Sequence, residues 1–389
     1  MKILYGYSNC TDKKYNEIFK DKSVAVLQPD QKYHGLLIKG LAKNGANVYC
    51  YSGLPLNRNV TKKLFIHEKD EEEEGVFYHY YKTLNLPIFR QAMIMLGAGK
   101  AVKKHKGDEK TVVICDCLNR ANVIGMVKGA KKRGFPVVMI VTDLPDYQFG
   151  GETAEKYNEL LEKADGYIFL TEQMNERVNK QNKPYIVLEG HADYALAEID
   201  DNEKYEIDFG KKVVVYAGSL SKLYGIQNLV EGFVSANIPD AQLYVYGGGD
   251  YREEIEAIAK EHVNVKYMGV RSNAEIVETE QRATLLVNPR PSDPEYTKYS
   301  FPSKTMEYMV SGTPVLMTKL PGVPKEYYPY LYTIEKQTAD GIKASLEEVL
   351  ALPFDLRNEK GKGARAFVLE NKSNVVQAKK ILDFLEENY

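Results

Sequence analysis

Short, continuously apolar runs alternate along the chain with stretches whose apolar positions recur at helical spacing. In the first half "KILYGYS" (2–8), "NVYCYSG" (47–53), "TVVICDC" (111–117), "PVVMIVTD" (136–143), "GYIFL" (166–170) and "YIVLEG" (185–190) read as strands. Strands apolar on both faces indicate a parallel sheet covered by helices on each side. The stretch from Ala192 to Lys212 is polar, has no sustained period and reads as a linker. The pattern then restarts with "VVVYAG" (213–218), "QLYVYGG" (242–248), "VNVKYMG" (263–269), "TLLVNPR" (284–290) and "TPVLMT" (313–318). The expected fold is therefore α/β, with two Rossmann-like, doubly wound parallel-sheet domains at residues 1–195 and 196–371. A last helix, 372–389, carries apolar Val375, Val376, Ile381, Leu382 and Leu385 and must dock on one of them. The run "KDEEEEG" (69–75) is most simply a solvated loop. Ligands of open parallel sheets sit at the carboxyl ends of strands. Two such sheets facing each other would form a cleft, so the strand ends are the places to look for chemistry.

Composition narrows the function classes. The 389 residues are 44% apolar and 27% charged, which are globular values for a chain of more than one domain. A net charge of −2 argues against a dedicated nucleic-acid binder. No apolar run is long enough to span a bilayer, and the N-terminus reads as a strand start rather than a secretion signal. The four cysteines, Cys10, Cys50, Cys115 and Cys117, fit no zinc spacing and are expected to be buried free thiols in a reducing cytoplasm.

The candidate chemistry concentrates at strand ends of the second half. "VVVYAGSLSKLYGIQNLVEGF" (213–233) runs from strand through Gly218, Ser219 and Lys222 into an amphipathic helix. Such a loop offers N–H groups and a cation to an anion, or is an ordinary connection. Gly247 and Gly248 end the next strand and permit close approach of backbone. Arg252 stands where a dinucleotide fingerprint needs its third glycine, and "GLLIKGL" (35–41) lacks the Lys-Ser/Thr of a P-loop. "LLVNPRPSDPEYTKYSFPSK" (285–304) carries Arg290, Glu295, Lys298, Tyr299, Ser303 and Lys304 in one strand–loop–helix unit. Basic groups at a helix start suit a diphosphate. Met306, Met309 and Val310 give that helix its buried face, Gly312 its stop, and Glu307 a place one turn from Ser303. Asp143 ends a strand of the first half, where a carboxylate would face the cleft or cap a turn. Residues 88–106 combine an apolar face with Lys100, Lys103, Lys104 and Lys106. They would suit an anionic membrane surface or an ordinary solvated helix end. No D-x-D, H-E-x-x-H or G-x-S-x-G occurs, and the six histidines are scattered. Neither a bound metal nor a serine nucleophile is expected.

Taken together, "YAGSLSKLYGIQNLVEGF", "LYVYGGGDYREEI", "VKYMGVRSNAEI", "TLLVNPR" and "FPSKTMEYMVSGTPVL" resemble glycosyltransferase family 4 (group 1) of the GT-B fold, over roughly residues 212–320. "VVMIVTDLPDY", "ADGYIFLTEQM" and "YIVLEGHAD" echo it in the first half. The resemblance implies a nucleotide-sugar donor on the second domain, an acceptor on the first, retention of anomeric configuration and no metal or other cofactor. It also implies a C-terminal helix that crosses back to the first domain. Glu307 matches the second Glu of the family's E-x7-E motif, which holds ribose hydroxyls. Gly247, Gly248, Val270 and Arg271 match positions near the nucleotide, and Thr142-Asp143 stands where many members carry His-Asp beside the transferred sugar. Three positions depart from the pattern. Tyr299 replaces the first Glu, Ser219 a phosphate-binding Arg, and Tyr224 a Lys.

Charge builds on the leaving diphosphate as the glycosidic bond breaks, so cations missing at their usual places must come from elsewhere. Arg290 and Lys304, with Lys222 and Ser303, are the local candidates, and Glu295 is a candidate for the carboxylate missing at Tyr299. The expected activity is retaining transfer from a UDP-linked sugar to a glycan or lipid-linked acceptor in surface polysaccharide or glycolipid assembly. It would take place in the cytoplasm, at the inner membrane face where residues 88–106 touch lipid. The rivals are a catalytically silent nucleotide- or partner-binding subunit and a sugar-nucleotide 2-epimerase. The epimerase would need an acid–histidine cluster that the sequence does not display.

Overall fold

A computed structural model of the chain describes residues 1–19, 28–107, 109–198 and 211–389. The chain divides into two compact units, residues 1–191 with 373–389, and residues 192–372. Most of the expected linker, 199–210, lies outside the described residues. What is described of it begins with a 3-10 turn at Tyr194–Glu198.

The first unit runs β1 (Lys2–Gly6), α1 (Asp12–Phe19), α2 (Gln28–Lys43), β2 (Asn47–Ser52), β3 (Phe65–Ile66), β4 (Glu71–Glu73), β5 (Val76–Tyr80), β6 (Thr83–Leu84) and α3 (Pro87–Lys104). It continues through β7 (Thr111–Asp116), α4 (Arg120–Arg133), β8 (Val137–Val141), α5 (Pro145–Gln148), α6 (Gly151–Leu161), β9 (Gly166–Phe169), α7 (Glu172–Val178) and β10 (Tyr185–Val187). Among the described residues these form an eight-stranded sheet ordered β10-β9-β8-β7-β1-β2-β5-β4, and β3 pairs with β6 apart from it. Only β4 runs antiparallel in the large sheet. Ile3, Tyr5, Val112, Ile114, Val138 and Ile140 build the core on one face, as their continuous apolar runs require. On this face lies the C-terminal helix, Asn374–Asn388, which buries Ile381, Leu382 and Leu385 beside Leu37 and Leu41 of α2. Its docking is fixed by polar bonds too, Asn374 Nδ2–H to Leu36 O and Gln377 Nε2–H to Gly190 O, both 2.8 Å. Helices α3 and α4 approach so closely that a Cβ on Gly125 would lie 2.2 Å from Met95 O, and only glycine fits there.

The run at 69–75 is not a solvated loop. Glu71–Glu73 form the edge strand β4, and Glu74 and Gly75 turn into β5 with φ of 47° and 78°. The reason is electrostatic. The nearly buried ammonium of Lys39 reaches Asp12, Glu73 and Glu74 at 2.7, 3.2 and 2.8 Å. Lys14 reaches Glu68 and Glu71 at 3.1 and 3.3 Å.

The second unit contains β11 (Lys212–Ala217), α8 (Ile226–Ala236), β12 (Ala241–Tyr246), α9 (Arg252–Glu261), β13 (Val265–Gly269), α10 (Asn273–Arg282), β14 (Leu285–Asn288), α11 (Ser303–Ser311), β15 (Val315–Thr318), β16 (Tyr332–Ile334), α12 (Ala339–Ala351) and α13 (Phe354–Lys372). Its parallel sheet is ordered β13-β12-β11-β14-β15-β16. Val214, Leu243, Leu285 and Leu316 pack under α8 and α12 on one face. Val213, Val215, Leu286 and Met317 pack under α11 and α13 on the other. Strand β16 was not expected from the sequence, because "YTI" is short and only half-buried.

In each sheet the chain reverses its winding once. The reversal falls between β11 and β14 in the second unit and between β1 and β7 in the first. A crevice opens at such a switch point, outside the carboxyl ends of the strands.

Candidate functional site

At the β11–β14 switch point the two loops meet backbone to backbone. Gly225, with φ +77°, ends the loop after β11, and a Cβ there would lie 2.2 Å from Pro289 O after β14. The glycines ending β11 and β12 are consumed by similar packing. Gly218 N–H donates to Tyr246 O at 3.1 Å, Gly247 N–H to Gly269 O at 3.0 Å, and Leu220 N–H to Gly248 O at 2.9 Å. Gly218 and Gly247 therefore shape the site without presenting their amides to a ligand. Ser219 is exposed, and its carbonyl accepts the Tyr216 hydroxyl at 2.6 Å.

The three candidate cations differ in how they are neutralised. Lys222 is exposed and pairs with Glu254 at 3.2 Å. Lys304 pairs with Glu307 at 2.9 Å and with the buried Glu280 at 3.4 Å. Burial pulls the Lys304 pKa down, but Glu307 and Glu280 more than offset it, and the net shift is upward. Arg290 has no carboxylate partner among the described residues. Its guanidinium carbon lies 4.9 Å from the ring centroids of both Tyr224 and Tyr296, and its buried Nε has no hydrogen-bond partner. The departure at Tyr224 thus has a structural counterpart. Where the resemblance leads one to expect a Lys, this chain supplies an aromatic face to an arginine on the neighbouring strand end.

Helix α11 begins at Ser303, after Pro302, with no side-chain cap. The first N–H groups of the helix accordingly lack intrahelical acceptors. Tyr308 fixes the helix to the end of β11, accepting from Ala217 N–H at 2.9 Å and donating to Ala217 O at 3.3 Å. Glu307 beside it has one carboxylate oxygen on Lys304, while the other, Oε1, is buried without a partner. Glu295 and Tyr299 share one 3-10 turn, with the Tyr299 hydroxyl 3.5 Å from Glu295 Oε1. Val270 and Arg271 lie past β13, exposed. Val270 borders the Gly248 turn, with Cγ2 3.7 Å from where a Cβ on Gly248 would stand, and Arg271 Nε–H donates to Met268 O at 3.0 Å.

In the first unit a cavity of about 820 Å³ opens at the β1–β7 switch point. Asp143 lines it, together with Tyr7, Asp30, Asp116 and Thr142. Asp116 is 2% exposed and accepts from Leu118 N–H at 2.8 Å and the Thr142 hydroxyl at 3.0 Å. His34 Nε2 stands 3.5 Å from Asp116, His34 Nδ1 meets the Tyr5 hydroxyl at 2.5 Å, and the Tyr7 ring stacks on the imidazole at 3.6 Å. Burial, then Asp116 and Asp30, drive the Tyr7 hydroxyl pKa up. Burial raises that of Asp30, with Asp116 adding to it. The sequence displays no acid–histidine cluster; the structure brings Asp30 and Asp116 together with one histidine, His34, which is buried and does not line the cavity. The missed signal was a carboxylate ending the apolar run "TVVICD" beside a switch point. The metal-like acidic group among the described residues, Asp12, Glu73 and Glu74, is the one that Lys39 already neutralises. All four cysteines are buried free thiols.

Residues 198–367 match the family described as glycosyl transferases group 1. No curated protein matches the sequence. Among solved structures, sucrose-phosphate synthase from Thermosynechococcus elongatus is similar, with 17% identity, TM-score 0.63 and full coverage of both chains. So is HepE of Anabaena in complex with UDP, with 16% identity, TM-score 0.66 and full coverage of both chains. The lipopolysaccharide outer core galactosyltransferase WaaB, in its apo form, has 16% identity, TM-score 0.63 and full coverage of both chains. At these identities the likeness is one of fold.

Proposed function

We propose, from the match of residues 198–367 to the glycosyl transferases group 1 family and the GT-B type fold of the chain, that the protein is a retaining glycosyltransferase. It uses a nucleotide sugar and a glycan or lipid-linked acceptor, in surface polysaccharide or glycolipid synthesis. The observation that carries this reading is a pair of open groups, one just past β14 and one inside α11. One is the Arg290 guanidinium without a carboxylate, and the other is the buried Oε1 of Glu307 without a donor. A diphosphate needs the first and a ribose hydroxyl the second. Arg290, Ser303 and the open N–H groups of α11 stabilise charge on the diphosphate as the glycosidic bond breaks towards it. Lys304 adds positive charge once a ligand competes with Glu280 and Glu307. These protein cations are why no metal is invoked. UDP is the nucleotide favoured by the likeness to HepE, a protein determined with UDP.

The first unit supplies the acceptor side, with Asp143 in its cavity. The outer face of α3 exposes Ile88, Phe89 and Leu96 and ends in Lys100, Lys103 and Lys104. That sequence of apolar then basic groups supports contact with an anionic membrane at the cytoplasmic face. No described helix is long and apolar enough to cross a membrane. Flotation with anionic vesicles checks the contact, and the absence of co-flotation would end it.

A second reading, sugar-nucleotide 2-epimerisation, is favoured by the carboxylates of Asp30, Asp116 and Asp143 that line the cavity, with His34 behind Asp116. Incubation with a panel of UDP-sugars separates the two. The transferase releases free UDP by slow donor hydrolysis. An epimerase converts the sugar nucleotide without net UDP release, and a silent subunit does neither.

A further inference from the structure

At the other end of the second sheet from Arg290 lies a second polar recess. The chain enters β14 through Ala283 and Thr284, and enters β15 through Gly312, Thr313 and Pro314. These two entries, the end of α10 and the start of α13 enclose a cavity of about 40 Å³. Thr284 and Arg290 stand at opposite ends of β14, whose four residues span roughly 13 Å, so the recess is separate from the switch-point site. Its walls are fixed. Gly312, with φ of 70°, and Pro314 make a tight turn, and a Cβ on Gly361 of α13 would lie 2.2 Å from Gly312 O.

The side chains around it are cationic and rich in donors. Arg282, Arg357, Gln281 and Asn358 line it with Thr284 and Thr313, and no carboxylate does. Arg282 holds Glu278 at 3.2 Å through Nη1, but its Nε is buried without a partner. Arg357 is 6% exposed and donates through Nη1 to Leu350 O at 3.1 Å. The threonines are committed to backbone. The Thr313 hydroxyl donates to Glu280 O at 2.6 Å, and Thr284 Oγ1 accepts from Val213 N–H at 2.9 Å. Helices α10 and α11 both end here, and open carbonyls at helix ends would attract a cation. Carbonyls of both ends are instead taken within the fold. Besides Glu280 O, Tyr308 O accepts the Ser311 hydroxyl at 2.6 Å, Met309 O the Gly312 N–H at 3.1 Å, and Val310 O Arg365 Nη1–H at 2.6 Å. The open group is a donor, Arg282 Nε, beside a second guanidinium. A buried donor without an acceptor is costly, and an anionic acceptor repays that cost best. The volume holds about two or three waters or one tetrahedral oxyanion, and is far too small for a nucleotide.

We propose that this recess binds a phosphate group. Arg282 Nε and the charge of Arg357 hold its oxygens, and the Gln281 and Asn358 amides donate to it. Phe354, 55% exposed, lines the same recess, which leaves room outside for an organic substituent. Inorganic phosphate and a phosphate monoester therefore share the required chemistry. The assignment does not depend on the transferase reading.

Calorimetric titration of the full chain with inorganic phosphate and with phenyl phosphate, each against chloride at equal ionic strength, tests it. A phosphate also suits Arg290, so the titrations are made in an Arg290→Ala background, where saturable binding at millimolar phosphate is expected to persist. Tighter binding of phenyl phosphate would identify an ester as the ligand, and equal or weaker binding the free anion. Arg282→Gln, at a partly exposed position, should weaken either probe about tenfold. Asn358→Asp, which adds like charge to the lining, should abolish binding. Melting temperatures in chloride confirm that each variant is folded, and either variant alone suffices should the other fold poorly. Absence of saturable phosphate binding in the Arg290→Ala background overturns the inference, as does undiminished affinity in the folded variants. UDP affinity should be the same in Arg282→Gln as in wild type. Failure of UDP to bind sinks only the donor assignment, and failure of phosphate to bind sinks only this one.

Discussion

Replacing Arg290 removes a cation that no described carboxylate neutralises, which makes its effect on a bound diphosphate separable from its effect on the fold. The guanidinium carbon lies 4.9 Å from the ring centroids of Tyr224 and Tyr296, close enough for a cation–π attraction of ~0.5–2 kcal/mol to each. Those contacts hold the fork in place before any ligand arrives. One preorganised charged donor at a developing anion is worth ~2.7–4 kcal/mol, so Arg290→Ala should lower kcat/KM for UDP-sugar turnover by roughly 10²–10³-fold. Arg290→Lys keeps the charge but not the planar fork, and should recover about tenfold of that loss. The rings are tested by Tyr296→Phe and Tyr296→Ala. The Tyr296 hydroxyl is buried without a partner, so its removal should leave kcat/KM within about twofold, whereas loss of the ring should cost about tenfold through a mispositioned arginine. The assay is steady-state UDP release at varied donor concentration, with melting temperatures confirming that each variant is folded. Arg290→Ala within about threefold of wild type would refute the diphosphate assignment. A defect in Tyr296→Phe as large as that in Tyr296→Ala would refute the positioning role of the ring.

Glu307→Ala should weaken UDP binding by roughly tenfold, the worth of a hydrogen bond to a charged group, measured calorimetrically. Unchanged affinity would remove Glu307 from the ribose. Gly225→Ala should lower stability by about 1–3 kcal/mol, from the strained φ of +77° and the 2.2 Å approach to Pro289 O; a melting temperature equal to wild type would contradict this. His191 should make the fold acid-sensitive. Burial holds its imidazole pKa down at about 4 against an ordinary 6.5. Between those values the unfolded chain binds a proton that the native state does not. Its contribution is therefore complete above about pH 6.5 and is lost, up to about 3 kcal/mol, as pH falls to 4. Denaturant titrations of His191→Gln, whose amide can still donate to Tyr33 O, should show a flatter stability profile over that range. A slope matching wild type would exclude His191 as its source.

The strands legible from the sequence were those whose continuous apolar runs are buried on both faces, such as β1, β7, β11 and β14. Strand β4 was illegible because three consecutive glutamates carry no periodicity, and the lysines that hold it lie on α1 and α2, distant in sequence. The same distinction separates the two sites. Arg290, Ser303, Lys304 and Glu307 fall on one contiguous strand–loop–helix segment, so their type and spacing could be read directly. The Tyr224–Arg290–Tyr296 sandwich joins loops of two different strands, and nothing local marks Tyr224 as its partner. Tyr7, His34, Asp116 and Thr142 come from four separate elements and meet only because β1 and β7 are neighbours at the point where the winding reverses. Close backbone approach is found at Gly225 and Gly247 but not at Gly218 or Gly248, and which amides remained open depended on the register of neighbouring loops.

The central claim is that the β11–β14 switch point of the second unit binds a nucleoside diphosphate through Arg290 and Glu307. Calorimetric titration of the full chain with UDP, and in parallel with uridine, tests it most directly. The account predicts one UDP per chain, uridine at least tenfold weaker because it brings no diphosphate to Arg290, and a clearly smaller difference in Arg290→Ala, where Ser303, Lys304 and the α11 N–H groups remain. Failure of UDP to bind, or a preference for UDP over uridine that is undiminished in Arg290→Ala, would contradict it.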